Sequence, residues 1–397
     1  MLRSGSRLLI YSQDGFGLGH LRRNLNVAYR VWRSQPDVSV LVVADSPAAP
    51  FFALPPRCDF VKIPTLVKVD SGVWCSDRLS LDHRDVLSIR TRLLEGLVES
   101  YRPDLVLVDH MPHGIFGELT GALRLMRRHR RPRTRIMLGL RDILGAPAEI
   151  CRRWRLEGAY EAAEQYYDGV CIYGCADVFD LVREYEFPTS IAAKATYCGY
   201  VSREQAPPPL DDADLARMFA QRHDGLVFVT GGGGADASFF MDKFIDAVRL
   251  MFPRVPFDAV LSTGPFMHPE QYMLLRKKAK GLPIHVTRHG QDNIRLLRRA
   301  DLVISMAGYN TVSEILRYRK RAIVIPRSGP SAEQTMRTRL MGERGLFTVV
   351  PARELTAEGF AALIRRKLDE PTPGDGPGIP SMDGAANAAE RLLAANG

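Results

Sequence analysis

Short runs of apolar, largely β-branched residues recur along the chain, and each is followed by a longer stretch with apolar positions at helical spacing. In the first half these runs fall at 7–12, 38–44, 59–63, 104–109, 134–140 and 169–173. In the second half they fall at 226–230, 257–262, 284–287, 301–305, 321–325 and 347–350. None alternates cleanly between apolar and polar, the pattern expected of strands covered on both faces of a parallel sheet. Strand–helix–strand repetition predicts right-handed crossovers and a doubly wound sheet. Two such series predict two sheets.

The break falls at 201–224, where Pro207, Pro208 and Pro209 precede Asp211, Asp212 and Asp214. That order predicts an extended spacer and then a short helix. A second Pro- and Gly-rich stretch, 371–384, precedes a last helix expected at 385–395.

Composition adds little to this picture. The chain has 397 residues, 46% hydrophobic and 25% charged, ordinary values for a globular protein of two or three domains. Its formal net charge of +9 favours anionic partners such as sugar nucleotides. No segment matches a nucleic-acid-binding motif, so no nucleic acid is expected. The six cysteines include Cys171 and Cys175 at C-x3-C spacing, but no second ligand pair follows and no metal site is expected. Buried thiols in a reducing compartment are the expectation. No apolar run approaches the ~18 residues of a membrane span. The N-terminal apolar run at 8–11 is too short for a signal peptide, so the expected location is cytoplasmic.

Two glycine loops carry candidate chemistry. The first, Gly15-Phe16-Gly17-Leu18-Gly19-His20, follows the strand 7–12 and precedes a helix expected from about Leu21. Three readings stand. His20 faces a reaction, or it merely caps its helix, or the loop is a dinucleotide fingerprint with Asp45 as ribose acid. The spacing G-x-G-x-G departs from G-x-G-x-x-G. The second loop, Gly231-Gly232-Gly233-Gly234-Ala235-Asp236, follows the strand 226–230 and opens a helix. Unobstructed N–H groups there form a cradle for a diphosphate. The alternative is a tight strand-to-helix turn.

Two further segments sit at the carboxyl ends of strands. In 305–314, Glu314 offers a carboxylate for the two hydroxyls of a ribose, but Thr311-x-x-Glu314 also fits a capping box. Glu333 and Gln334 suit sugar hydroxyls, but Ser331-x-x-Gln334 fits a capping box as well.

These residues resemble glycosyltransferase family 28, the family of the peptidoglycan N-acetylglucosaminyltransferase. The resemblance rests on Gly-Gly-Gly-Gly-Ala at 231–235, Ala-Gly-Tyr-Asn-Thr-Val-Ser-Glu at 307–314, Glu-Gln at 333–334 and Gly-x-Gly-His at 17–20. It implies a GT-B fold: α/β, with two Rossmann-like doubly wound parallel-sheet domains facing a cleft. The expected domains are 1–203 on the acceptor side, a 204–224 linker, 225–372 for the nucleotide-sugar donor, and 373–397 packing back on the first domain. The resemblance also implies metal-independent hexosyl transfer, with the nucleotide sugar as substrate and no cofactor. A UDP-sugar is the first candidate donor, and cell-envelope or natural-product glycosylation the expected setting. Gly232, Gly233, Gly234 and Ala235 would hold the diphosphate. Gly308, Asn310 and Thr311 would also bind the donor, Glu314 would hold its ribose, and Glu333 with Gln334 the sugar. The tetraglycine is less polar than the family's loop, and the first half lacks the family's full glycine-rich acceptor loops.

Transfer needs a base at the acceptor hydroxyl. His20 and Asp109 are the candidates, with Gly17, Gly19, His113 and Arg141 lining the acceptor side. Asp109 either orients a histidine or acts itself; a turn-capping role before Pro112 is the alternative. Arg124 to Arg135 form a basic stretch beside an apolar seam of Leu119, Leu123 and Met126. It is either a core-facing helix with a solvated face or a peripheral contact with an anionic membrane at its inner face. The rival functions are a sugar-nucleotide 2-epimerase, a non-catalytic sugar-nucleotide-binding protein and a nicotinamide oxidoreductase.

Overall fold

In a computed structural model the chain divides into two compact units. The structure describes all residues except 1–4, 14–18, 48, 71–72, 129–132, 204, 206, 220–222, 289–292, 328, 330–331, 372–377 and 395–397. Unit 1 comprises Met1–Glu204 with Pro380–Gly397, and unit 2 comprises Gln205–Ile379.

Unit 1 is built on a seven-stranded sheet. Its strands are β1 (Arg7–Ser12), β2 (Ser39–Ala44), β3 (Cys58–Lys62), β6 (Leu105–Asp109), β7 (Arg135–Arg141), β8 (Gly169–Tyr173) and β9 (Ala195–Tyr197). A separate antiparallel hairpin, β4 (Leu66–Asp70) and β5 (Val73–Ser76), is inserted between β3 and β6. The strand order is β3-β2-β1-β6-β7-β8-β9, all parallel, with β1 in register with β2 at Arg7↔Ser39 and with β6 at Leu8↔Leu105. All five residues of β6 and of β8 are buried, so helices cover both faces.

Unit 2 repeats the plan with β10 (Gly225–Thr230), β11 (Phe257–Ser262), β12 (Ile284–Thr287), β13 (Leu302–Met306), β14 (Ala322–Ile325) and β15 (Thr348–Val349). The order is β12-β11-β10-β13-β14-β15. On the helix Ser238–Met251, Phe240, Phe244 and Val248 recur at i, i+4, i+8 and enter the core. There Phe244 meets Phe360 of the helix Ala357–Asp369 edge-on, ring centroids 6.1 Å apart.

Both sheets reverse direction of growth beside their first strand. The switch points lie between β1 and β6 and between β10 and β13. In open α/β sheets ligands bind outside the carboxyl ends of the strands at that point. The carboxyl ends concerned are Ser12 and Asp109 in unit 1, and Thr230 and Met306 in unit 2.

The final helix, Gly384–Leu393, belongs to unit 1. Ala385, Ala388, Ala389 and Leu392 form its buried stripe, which packs on the helix Gly19–Ser34. Asn387 Nδ2 donates to Cys198 O at 2.8 Å, and Val201 bridges Asp383. Gly384 is required here, since a Cβ would fall 2.3 Å from Gly199 O.

The basic stretch is tied to the fold. Leu119, Leu123 and Met126 are buried, so the apolar seam faces the core. Arg127 donates to Thr134 O and pairs with Asp168, and Arg135 donates to Leu392 O. Arg130 and Arg131 lie outside the described residues. The membrane reading therefore loses its apolar face and keeps only charge. Among the described residues no helix is long and apolar enough to cross a membrane.

Candidate active site

In unit 1 the helix Gly19–Ser34 begins two residues earlier than the sequence suggests, with Gly19 first and His20 second. Gly17 lies outside the described residues. Asp109, the last residue of β6, is fully buried and is the hub of the site. His20 Nδ1 lies 2.9 Å from Asp109 Oδ2. Arg23 Nη2 donates to Oδ1 at 2.9 Å and Oδ2 at 2.8 Å, and Asn24 Nδ2 donates to Oδ2 at 3.0 Å. Burial acts to raise the Asp109 carboxyl, but Arg23 and then His20 outweigh it and hold it well below the usual carboxylate range.

An ionised Asp109 cannot donate, so the His20 contact requires the proton on Nδ1. Arg23 Nη2 also lies 2.9 Å from that nitrogen, but an arginine does not deprotonate and its N–H groups have the two carboxylate oxygens to serve. The tautomer so fixed turns Nε2 away from Asp109 as the nitrogen that can accept a proton. His20 therefore does more than cap its helix, and of the two candidate bases it is the partly exposed one, 16% against 0% for Asp109.

His110 stacks obliquely on His20, centroids 5.2 Å apart. Its backbone has φ +83°, an uncommon conformation for a non-glycine, and its N–H donates to Gly139 O at 2.9 Å. Burial lowers its pKa, and the charges of His20 and Arg141 lower it further. Arg141 stands half-buried at the end of β7, and Asp142 accepts from Ile143 N. His113 is buried, its Nδ1 has no hydrogen-bond partner among the described residues, and burial lowers its pKa against the opposing charge of Glu157.

A second buried network lies in the same unit. Arg90 grips Glu118 through Nε and Nη2 at 2.6 Å each, Tyr11 Oη donates to Glu118 Oε1, and Arg90 Nη1 reaches Asp45 Oδ2 at 3.4 Å. Asp45 is fully buried and paired there. The dinucleotide reading thus loses its ribose acid.

In unit 2 the four glycines are not equivalent. A Cβ on Gly231 would lie 2.5 Å from Ala237 Cβ, and one on Gly234 would lie 1.9 Å from Thr263 O. Those two are bare because the chain packs on them. Gly232 is exposed, and its Cβ would meet nothing nearer than Thr311 Oγ1 at 3.8 Å. Gly233 is half-buried and meets only the Phe266 ring at 3.4 Å. The following helix, Ser238–Met251, starts four residues after Gly234, so Ala235 and Asp236 lie in a turn and not in its first turn.

The helix that does stand beside the loop is Tyr309–Arg317. Its N-cap is Gly308, with no side chain bonded there. The Thr311–Glu314 capping box is therefore absent: Thr311 is the third helical residue and Glu314 lies in the second turn, 8% exposed. Asn310 and Thr311 are half-buried on its first turn. An N-terminus without a side-chain cap next to bare glycine backbone has the chemistry to receive an anion.

The helix Glu333–Glu343 has Ala332 at its N-cap, with no side-chain bond, and Ser331 lies outside the described residues. Glu333 Oε1 pairs with Arg337 Nη2 at 2.9 Å, and Arg337 Nη1 donates to Ala307 O at 2.8 Å. Glu333 thus braces the loop that leads into Gly308. Gln334 Oε1 accepts from Arg327 N at 3.2 Å. Among the described residues no cluster of His, Cys, Asp or Glu is placed to hold a metal ion.

Sequence reasoning missed Arg23 and Asn24 around Asp109, and Arg337 behind Glu333. The spacing His20-x-x-Arg23, one face of one helix, was the available signal for the first. Nothing local marks Arg337, whose target is thirty residues away in sequence.

Residues 226–375 match the family model "Glycosyltransferase family 28 C-terminal domain". These residues form a family 28 C-terminal domain, and the chain as a whole has the GT-B fold. Solved structures similar to this chain along its whole length include MurG of Acinetobacter baumannii, at 15% identity and TM-score 0.56, covering 98% of this chain and 95% of that one. UGT2 of Phytolacca americana, complexed with UDP-2fluoro-glucose and pterostilbene, matches at 14% identity and TM-score 0.60, covering 100% and 97%. The UDP-GlcNAc 2-epimerase of Methanocaldococcus jannaschii matches at 12% identity and TM-score 0.59, covering 98% of each chain. At such identities the likeness is one of fold. No curated protein matches the chain.

Proposed function

We propose that this glycosyltransferase moves a sugar from a nucleotide-diphosphate sugar, a UDP-sugar first, to an acceptor hydroxyl without a metal ion. The observation that carries the donor side is the bare backbone of Gly232 and Gly233 beside the N-terminus of Tyr309–Arg317 at the switch point of the second sheet. Loop N–H groups and the helix N-terminus would take the diphosphate and stabilise it as it leaves. Glu314 would accept the ribose hydroxyls, and Gln334 the sugar. His20 Nε2 would take the acceptor proton while Asp109 holds the ring and balances the imidazolium.

Thermal shifts with uridine, thymidine, guanosine and adenosine diphosphates test the donor side. One nucleoside diphosphate is expected to raise the melting temperature selectively by mass action. Glu314→Ala is expected to weaken that ligand about 10- to 100-fold, the loss of one or two charge-assisted hydrogen bonds. A shift confined to nicotinamide dinucleotides overturns the reading.

Turnover is expected to persist in excess EDTA at the rate seen with added magnesium. A rate abolished by EDTA and restored by a divalent cation would remove metal independence. The epimerase reading keeps support from the similar epimerase structure. It predicts conversion of the sugar nucleotide with no acceptor present, whereas the transferase releases nucleoside diphosphate only as product forms.

A further inference from the structure

Arg327 follows β14, and Asp236 follows the glycine loop after β10. Those strands are not neighbours, because β13 lies between them. Yet Arg327 Nη1 comes within 3.5 Å of Asp236 Oδ2. The guanidinium therefore reaches across the carboxyl end of β13, where Ala307 and Gly308 enter the helix Tyr309–Arg317.

The arginine is held at its base and loosely at its tip. Gln334 Oε1 fixes its backbone N–H. Among the described residues its buried Nε has no hydrogen-bond partner, and its ion pair with Asp236 is long, between side chains 31% and 49% exposed. A group with five donors in a planar fork is poorly used by such a contact. Asp236, for its part, puts a carboxylate two residues beyond Gly234, where it would repel a diphosphate in the loop. A cation between the two removes that repulsion.

We propose that Arg327 is the diphosphate-binding cation of the donor site, exchanging its long contact with Asp236 for a bidentate grip on the diphosphate oxygens. The inference rests on the donor-site reading above. It assigns Asp236 the role of a competing anion that parks the arginine and weakens diphosphate binding.

Titration calorimetry with uridine, thymidine, guanosine and adenosine diphosphates, the matching nucleosides and inorganic pyrophosphate tests it. For the diphosphate that wild type binds, Arg327→Gln is expected to weaken affinity about tenfold, and to weaken pyrophosphate equally. The matching nucleoside should bind as to wild type. Arg327→Lys should recover part of the loss, since it keeps the charge but not the fork. Asp236→Asn should bind the diphosphate several-fold more tightly. If wild type binds a nucleoside diphosphate through Glu314, yet Arg327→Gln and Asp236→Asn both match wild type, the arginine has no such role and the donor site stands. If wild type binds none of the diphosphates, the donor-site reading fails and this inference with it.

Discussion

His20→Ala is expected to lower kcat by about 10²- to 10⁴-fold, the range a positioned general base contributes. The Kd of the nucleoside diphosphate should stay at the wild-type value, because every donor determinant named above belongs to unit 2. Asp109→Asn is expected to lose comparable activity for a different reason. The amide no longer balances an imidazolium, and it breaks the buried ion pair of Asp109 with Arg23. Breaking a buried pair from one side costs about 3–5 kcal/mol. Asp109→Asn should therefore also melt earlier, while His20→Ala should not. The pH dependence of stability bears on Asp109. The Asp109 pKa is depressed in the folded protein, with burial outweighed by Arg23 and His20. Its stabilisation is fully present above the unfolded carboxylate value of about 3.9 and is lost only as pH falls below that. Asp109 thus stays ionised across the range of an ordinary assay. Full turnover in His20→Ala would remove the base from this mechanism and leave the histidine a structural partner of Asp109.

Much of this site is legible in the sequence because parallel sheets announce themselves. Continuous apolar runs locate the central strands, and whatever follows such a run in a doubly wound fold lies at the ligand-binding edge. That reasoning alone brings His20, Asp109, the 231–234 loop and Glu314 to switch points. The elements it misses are those that lack a buried run. The hairpin of β4 and β5 packs on the helix His83–Tyr101 through Leu66 and Trp74 and pairs with no strand of the main sheet. β9 is three residues long, and all three are only half-buried. Capping is the other failure. Thr311-x-x-Glu314 and Ser331-x-x-Gln334 have the right spacing, but neither helix begins where the motif requires, because Gly308 and Ala332 take the N-cap. A motif fixes the register only if the chain enters the helix at that residue, and tertiary contacts decide the entry. Here Arg337, anchored by Glu333, holds Ala307 O and so sets where the turn ends. The same pair removes Glu333 from the simple picture of a carboxylate waiting for sugar, while Gln334 has committed only its carbonyl oxygen.

Four identical letters at 231–234 conceal two different demands, and alanine substitutions should separate them. Gly234→Ala is expected to destabilise unit 2 by about 3 kcal/mol or more. Its φ is +91°, which costs an L-residue about 1–2 kcal/mol. Its Cβ would also sit 1.9 Å from Thr263 O, a backbone atom that cannot swing aside, and overpacking of this kind adds about 1–3 kcal/mol. For a unit of this size that corresponds to a melting temperature roughly 6–12 °C lower. Gly233→Ala meets only the Phe266 ring, at ordinary contact distance, so its melting temperature should stay within about 2 °C of wild type. If the loop exists to let a diphosphate approach bare backbone, the same quiet substitution should still weaken the nucleoside diphosphate, because that backbone then carries a methyl. Scanning calorimetry with and without the nucleotide reads both effects from one pair of variants. Wild-type affinity in Gly233→Ala would make the tetraglycine a tight turn and nothing more. Wild-type melting in Gly234→Ala would mean that the Ser262–Gly264 segment yields, and that the loop's shape is not set by the strand beside it.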